Sequence, residues 1–255
     1  MFDSEYEVYL ADTAESRSLH HKVRYQVFCL ERGFERPDEF RNHEERDHWD
    51  RHSHQFVVQN TATTAAVAAV RLIMPTADQL PVEHMGCITE PLPVPAKRQQ
   101  IAEVSRICVV RGGNREANDD LAFPSSWQLP VEAVSPTKES EILLGMIRAI
   151  LRYSMDQKIP YLYMLVTRPF ARLLKRLGVH CTQVGEGVEH RGMRAPYFID
   201  VDRSWEGLIS RSGEVAELFS RDHLSYFSHA ETHRPIRVMN YVNAAIRDKS
   251  LGMTA

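Results

Sequence analysis

Apolar residues at Leu19, Val23, Val27 and Leu30, with Tyr25 and Phe28 widening the stripe, recur at helical spacing, and Gly33 follows as a stop. The pattern predicts a helix over about 16–32. From Phe34 to Ser53 the chain turns polar, with Pro37 and a cluster of Asp, Glu, Arg and His, and reads as a loop folded over a site. Two strands follow at 55–59 and 65–73, joined by the turn Asn60-Thr-Ala-Thr-Thr. Pro75, Pro81, Pro91, Pro93 and Pro95 interrupt the next stretch, leaving a short helix near 97–101 before a strand at 102–110. Segment 112–140, with Gly112-Gly113 and three prolines, reads as a long surface excursion. It ends where Ser140 and Glu141 open a helix to about 157, with Ile142, Met146, Ile150 and Tyr153 on its inner face. A strand at 161–166, a helix opened by Pro169 and capped by Gly178, and a hairpin of 181–188 with 194–201 around Glu189-His-Arg-Gly come next. Two more helices are predicted near 213–221 and 236–248. This order implies an α/β (α+β) domain over 1–203, a central mixed and mostly antiparallel sheet flanked by helices, with a helical C-terminal extension over 204–255.

Composition narrows the class of protein. A chain of 255 residues with 43% hydrophobic content suits one core with an appendage. A net charge of −3, a pI near 6.5 and scattered basic residues give no field for nucleic acid or an anionic membrane. Cys29, Cys87, Cys108 and Cys181 lie far apart among apolar neighbours, as buried thiols in a reducing cytoplasm do. The acidic start Met1-Phe2-Asp3-Ser4-Glu5 is unlike a signal peptide, and no run approaches the roughly 18 apolar residues of a membrane span. A cytoplasmic protein is expected.

The chemistry lies in charges set beside core segments: Arg24, then Glu45, Asp47 and Asp50, then Arg71, then Glu103 and Arg106. Buried charges cost folding free energy unless paired, so this series implies a polar site built into the core. Three carboxylates in six residues raise one another's pKa unless a cation sits among them. That cation is Arg24, Arg71, a substrate amine or a metal; a solvated acidic loop is the alternative. Histidines 43, 48, 52 and 54 share the loop, but their spacing matches no metal motif, and no metal is expected. Strict alternation places Glu103 and Arg106 on opposite faces of their strand, so they converge only if a β-bulge lies between them. Ser105 stands between them without the Gly-x-Ser-x-Gly elbow of a hydrolase nucleophile.

Together, Arg24 and Phe28 on the first helix, Glu45-x-Asp47-x-x-Asp50, Arg71-Leu72 and Glu103-Val-Ser-Arg106 resemble the acyl-homoserine-lactone synthase pattern, a branch of the GNAT-like acyltransferases. His54 after the acids, the phrase Arg71-Leu-Ile-x-Pro75 and the C-terminal extension are more similar to the exosortase (PEP-CTERM) system-associated acyltransferases, with the N-acyl amino acid synthases close behind. The resemblance spans about 15–200. It implies a GNAT-like fold and transfer of a fatty acyl group from a thioester to the amine of an amino acid or related small molecule. It further implies Glu103, Ser105 and Arg106 as catalytic; Arg24, Phe28, Phe34, Glu45, Asp47, Asp50 and Arg71 as substrate-binding; and Val109, Arg111 and Gly112 as donor-binding, with no tightly bound cofactor.

Two departures matter. Phe34 stands where the lactone synthases carry tryptophan, which sets this chain apart in S-adenosylmethionine recognition. Arg111-Gly112-Gly113-Asn114 only echoes the glycine-rich pyrophosphate loop of CoA-dependent members, so acyl carrier protein is the expected donor in preference to CoA. Arg234, Arg237 and Arg247 are expected to meet that acidic carrier. The alternatives are a lactone synthase using S-adenosylmethionine and a non-catalytic acyl- or metal-binding module on the same fold.

Overall fold

The computed structural model describes residues 2–111, 134–211 and 213–232. Its elements in chain order are β1 (Tyr6–Leu10), α1 (Ala14–Tyr25), β2 (Ser53–Asn60), β3 (Ala66–Ile73), α2 (Pro81–His84), β4 (Ile101–Val109), α3 (Pro136–Asp156), β5 (Tyr161–Val166) and α4 (Arg168–Leu177). There follow β6 (Cys181–Gln183), β7 (Val188–Glu189), β8 (Met193–Asp200), α5 (Val201–Ile209), α6 (Glu214–Ser220), β9 (Phe227–Ser228) and α7 (His229–Thr232). The sheet runs β6-β8-β5-β4-β3-β2-β1-β9, with β7 beside β8. Only the β4–β5 and β1–β9 pairs are parallel, so the expected mixed, mostly antiparallel sheet flanked by helices is what forms.

Layers cover both faces of this sheet, which is why β3 is buried along its whole length. On one face α3 sets Ile142, Met146 and Ile150 against Val58, Val70, Leu72, Val104 and Leu162. On the other, Leu19, Val23 and Val27 pack on Val57, Ala69 and Cys108, while Leu80 and Val82 around α2 pack on Ile73, Ile101, Tyr163 and Phe198. All four cysteines are free and buried in these layers. Among the described residues no helix is long and apolar enough to cross a membrane.

Several boundaries differ from the expected ones, each for a local reason. Thr13 caps α1, accepting from the Ser16 amide at 3.1 Å, and the helix continues as a π-helix over Gln26–Glu31. Helix α3 opens at Pro136 after Ser135 and not at Ser140–Glu141, because proline suits the first helical position and Val134 is already tied to the Val110 carbonyl at 3.0 Å. The turn near 97–101 is 3-10 over Arg98–Gln100. Strand 181–188 is broken into β6 and β7, since Val184 and Gly185 pack against the 85–90 loop. Pattern reading also missed β1, α2, α5, β9 and α7. Strand β1 is apolar at nearly every position because it is an inner strand between β2 and β9, so alternation is lost. The region 112–133 and the helix expected at 236–248 lie outside the described residues.

Phe2 packs against the middle of α3, at Gly145 and Arg148. A Cβ on Gly145 would lie 2.4 Å from the Phe2 ring, closer than van der Waals contact allows. Gly145→Val is therefore expected to lower stability in urea unfolding by roughly 1–3 kcal/mol, the usual cost of overpacking. An unchanged midpoint would show that Phe2 does not hold this position.

Candidate active site

Strands β4 and β5 start as a parallel pair, Ile101 opposite Tyr161 through Val104 opposite Met164, and then part. The cause is in β4. Against β3, Ser105 pairs with Arg71 and Cys108 with Ala69, so three steps on β4 match two on β3. This is a bulge, and Arg106 within it takes a left-handed backbone (φ 54°). The extra residue places Ser105 and Arg106 in succession toward the α1 face, where Glu103 also points. Glu103 and Arg106 thus share one face, as a bulge between them requires.

Arg106 joins an ionic cluster assembled from four elements. Arg24, on α1 and fully buried, donates through Nε to Glu45 and through Nη1 to Asp50 Oδ1 at 2.5 Å. Arg71 on β3 donates to Asp47 Oδ1 at 2.5 Å, to Asp50 Oδ1 at 2.8 Å and to Ser105 Oγ at 3.0 Å. Arg106 donates to Glu45 Oε1 at 3.0 Å and to Asp47 Oδ2 at 3.1 Å, with its guanidinium 5.5 Å from the Phe28 ring centre. Three guanidiniums thus face three carboxylates, and the cation sought among the acids is protein. Asp47 also caps the 3-10 turn His48–His52, accepting from Trp49 N at 2.9 Å, while Asp50 accepts the Asp47 amide at 2.8 Å.

Electrostatics sorts the carboxylates into two kinds. Burial opposes ionisation of Glu45, Asp47 and Asp50, but Arg24, Arg71 and Arg106 overcome it and hold all three below the ordinary carboxylate range. Glu103, 2% exposed, is different. Burial pushes its carboxyl up to about 8, against the opposing pull of the Val82 amide, which donates to Oε2 at 2.9 Å, and of the Arg71 charge. His21 is held down at about 4 by burial and by Arg24, so it is a neutral partner of Gln55 (3.1 Å).

The remaining candidates fall around this centre. Phe34, exposed, stacks on Phe28 with ring centres 6.5 Å apart. Val109 closes β4 opposite Ala68, and Arg111 beyond it is tied to Glu139 at 2.7 Å. Gly112, Arg234, Arg237 and Arg247 lie outside the described residues. The loop histidines disperse: His43 meets Tyr25, His48 stacks on Trp49, and His54 packs on Tyr153. Among the described residues no group of three His, Cys, Asp or Glu side chains is arranged to hold a metal. Behind the fork, on the α3 side, lies a wholly apolar cavity of about 30 Å³. Val104 and Met164, the last residues to pair before the strands part, line it together with Ile107, Met146, Ile147 and Leu174.

Residues 23–120 match the family model described as acetyltransferase (GNAT) domain. None of the curated proteins compared matches the chain in sequence. The matched stretch holds the end of α1, the acidic loop and strands β2 to β4, and among solved structures the fold of the chain is similar to that of acyl-homoserine-lactone synthases. The AHL synthase LasI superposes with a TM-score of 0.56 at 16% identity, covering 82% of this chain and 98% of LasI. The CoA-dependent acyl-homoserine lactone synthase BjaI, solved with SAM and isopentyl-CoA, gives 0.58 at 14% identity over 95% of this chain and 99% of its own. TofI, in a ternary complex with an inhibitor and MTA, gives 0.54 at 17% over 76% and 91%.

Two stability experiments probe the site. Arg24→Ala leaves Glu45 and Asp50 buried without their principal partner, and a loss of about 3–5 kcal/mol is expected in denaturant unfolding; a loss under 1 kcal/mol would mean the cluster is solvated. For Glu103 the folded-state value near 8 exceeds the ordinary 4.5, so the folded protein binds more protons between these pH values and Glu103 costs stability as pH rises through that window. Glu103→Gln, which keeps an acceptor for Val82 N–H, is expected to gain stability over wild type as pH rises from 5 to 8. A pH-independent difference would place Glu103 in water.

Proposed function

We propose that the protein is an N-acyltransferase that moves a fatty acyl group from a thioester, carried on acyl carrier protein in preference to CoA, to the amine of an amino acid or similar small molecule. The observation that carries this reading is the fork of β4 and β5, with a perturbed carboxyl on one side and an apolar cavity on the other. A thioester laid in the fork has its carbonyl beside Ser105 and the bulge, and its alkyl chain directed toward Val104, Met164 and α3.

Glu103 is the proposed base. Its carboxylate, directly or through one water, takes the proton from the acceptor ammonium or amine; the freed nitrogen attacks the carbonyl carbon. The C–N bond forms, the C–S bond breaks, and the thiol leaves with a proton. A carboxyl near 8 matches this task better than an ordinary glutamate, since it removes a proton without being wholly protonated at working pH. Backbone amides released from the ladder by the bulge stabilise the oxyanion, and Ser105, held by Arg71, donates to the departing sulfur. The ionic cluster, with Phe28 and Phe34, forms the wall that orients the acceptor. Val109 and Arg111, at the end of β4, lie along the path of the pantetheine arm.

The donor preference draws support from α4, which begins two residues after β5 ends. It exposes Arg168, Arg172, Lys175 and Arg176 and contains no acidic residue. Such a face complements an acidic carrier protein, the role expected of Arg234, Arg237 and Arg247 in the tail. The cavity holds about one methylene as it stands, so chain binding requires Met146 and Met164 to shift, which thioether side chains do readily.

Release of free thiol from acyl carrier protein and acyl-CoA thioesters, with pooled amino acids or S-adenosylmethionine as acceptor and mass spectrometry of products, tests the reading. Amine-dependent release is expected, with kcat/KM rising to a break near pH 8 that disappears in Glu103→Gln, whose rate falls by roughly a hundred- to ten-thousand-fold. No release with any donor would overturn it. Arg172→Glu with Arg176→Glu should raise KM for acyl carrier protein at least tenfold and leave that for acyl-CoA unchanged; equal effects would exclude α4 as the dock. Ile147→Trp should shift the preferred donor toward shorter chains, and an unchanged chain-length profile would place the alkyl group elsewhere.

A further inference from the structure

The β7–β8 hairpin is tied to the ionic cluster through Arg191, and one of its charges, Arg194, is not neutralised there. Its tip, His190-Arg191-Gly192, holds Arg191 in the left-handed region (φ 52°), with the Gly192 amide donating to Glu189 Oε1 at 3.0 Å. From there Arg191 pairs with Glu35, whose other neighbour is Arg106 at 3.7 Å. Glu35 therefore links β4 to the hairpin across the opening between β4 and β5.

The charge balance is informative. Arg24, Arg71, Arg106 and Arg191 are connected through Glu35, Glu45, Asp47 and Asp50, four of each sign. Arg194 is a fifth guanidinium beside this neutral network. Among the described residues it makes no ion pair or side-chain hydrogen bond, and its Nε is buried without a partner. By strand alternation it lies on the face of β8 that carries Phe198, which packs with Tyr161 and Tyr163 next to Glu103. Arg106 is close enough to repel it, and burial and the Arg106 charge both disfavour its protonated form, as burial and Arg194 do for Arg191. A half-buried guanidinium with a dry, unpaired Nε and like-charged neighbours is an incomplete site, and an oxyanion completes it.

We infer that Arg194, supported by Arg191 and Arg106, forms a binding site for a substrate oxyanion at the mouth of the fork, and we assign that oxyanion to the carboxylate of the acceptor. The assignment rests on the N-acyltransferase reading and narrows it: the acceptor is an amino acid and not a simple amine. The carboxylate held by the hairpin leaves the α-nitrogen directed down the fork toward Glu103. Glu35, bridging Arg106 and Arg191, is then a positioning residue that fixes the hairpin over the site. The other available oxyanion is the phosphate of the donor's pantetheine arm, and the test separates the two.

The full-length protein is titrated by calorimetry with N-dodecanoylglycine and its carboxamide, and with 4′-phosphopantetheine and pantetheine, beside the thiol-release assay. The acid is expected to bind tenfold or more tightly than the carboxamide. Arg194→Gln should remove this preference with its thermal midpoint unchanged, and Arg194→Lys should retain part of it. If Arg194→Gln does not fold, the wild-type preference and the Lys variant decide the matter. Discrimination confined to the phosphopantetheine pair would overturn the assignment to the acceptor and give the site to the donor. No discrimination in either pair, with amine-dependent turnover intact, would overturn the site alone. Absence of both binding and turnover would overturn the acyltransferase reading with it.

Discussion

Everything on the α1 face of the sheet depends on the mutual neutralisation of Arg24, Arg71 and Arg106 by Glu45, Asp47 and Asp50. Arg24 and Arg71 are nearly inaccessible to water, and guanidiniums cannot shed their charge to escape burial. Each must therefore be met by carboxylate, and the carboxylates come from one stretch of loop. Satisfying three cations on three different elements leaves that loop little freedom: Glu45 must reach α1 and β4, Asp47 must reach β3 and β4, and Asp50 must reach α1 and β3. A polar segment whose regular structure is two short 3-10 turns is thereby fixed to three elements at once. Hydrophobic residues of the same volume would hold it at less cost in desolvation, so the cluster is better understood as a device for specifying geometry than as a source of stability.

The same cluster accounts for the difference between Glu103 and the other acids. Glu103 lies two residues before Ser105 on the same strand, yet its oxygen faces the Val82 amide and the apolar layer around α2, not the guanidiniums. The arginines that saturate the loop carboxylates make no ion pair with it, and the pull of the Arg71 charge does not outweigh burial. One group of carboxyls is kept ionised and structural while its neighbour is kept near neutral pH, the separation by environment that acid–base chemistry requires.

How much of this was legible in the sequence depends on the range of the interaction. The α1 stripe, the hairpin of β2 and β3, the Gly178 cap and the core of α3 follow from local periodicity, and each appears within a few residues of its expected place. The ionic cluster was legible because its members stand beside apolar runs, so charge and burial could be read together; the bulge followed from requiring Glu103 and Arg106 to converge. What failed was non-local. Strand β1 and the short β9 exist because neighbours from distant parts of the chain pair with them, and the break between β6 and β7 is imposed by the 85–90 loop. Glu35, Arg191 and Arg194 read as ordinary loop and turn charges, since nothing in Glu189-His-Arg-Gly announces that the hairpin pairs with Glu35, more than 150 residues earlier in the chain.

The fork itself shows how one inserted residue organises the site. Without the bulge, β4 would continue its ladder with β3 in step and present Arg106 to the α3 face, where it would be a cation in the layer that holds Leu143, Met146 and Leu162. With it, Arg106 turns to the carboxylates, Ile107 turns to the cavity, and the parallel pairing with β5 stops at Val104. A left-handed arginine costs on the order of 1 kcal/mol of backbone strain, which the pairs with Glu45 and Asp47 offset. Strand divergence, a cation on the polar side and an apolar wall on the other are then three consequences of a single local distortion, so the gap between β4 and β5 cannot close without also breaking the ionic cluster.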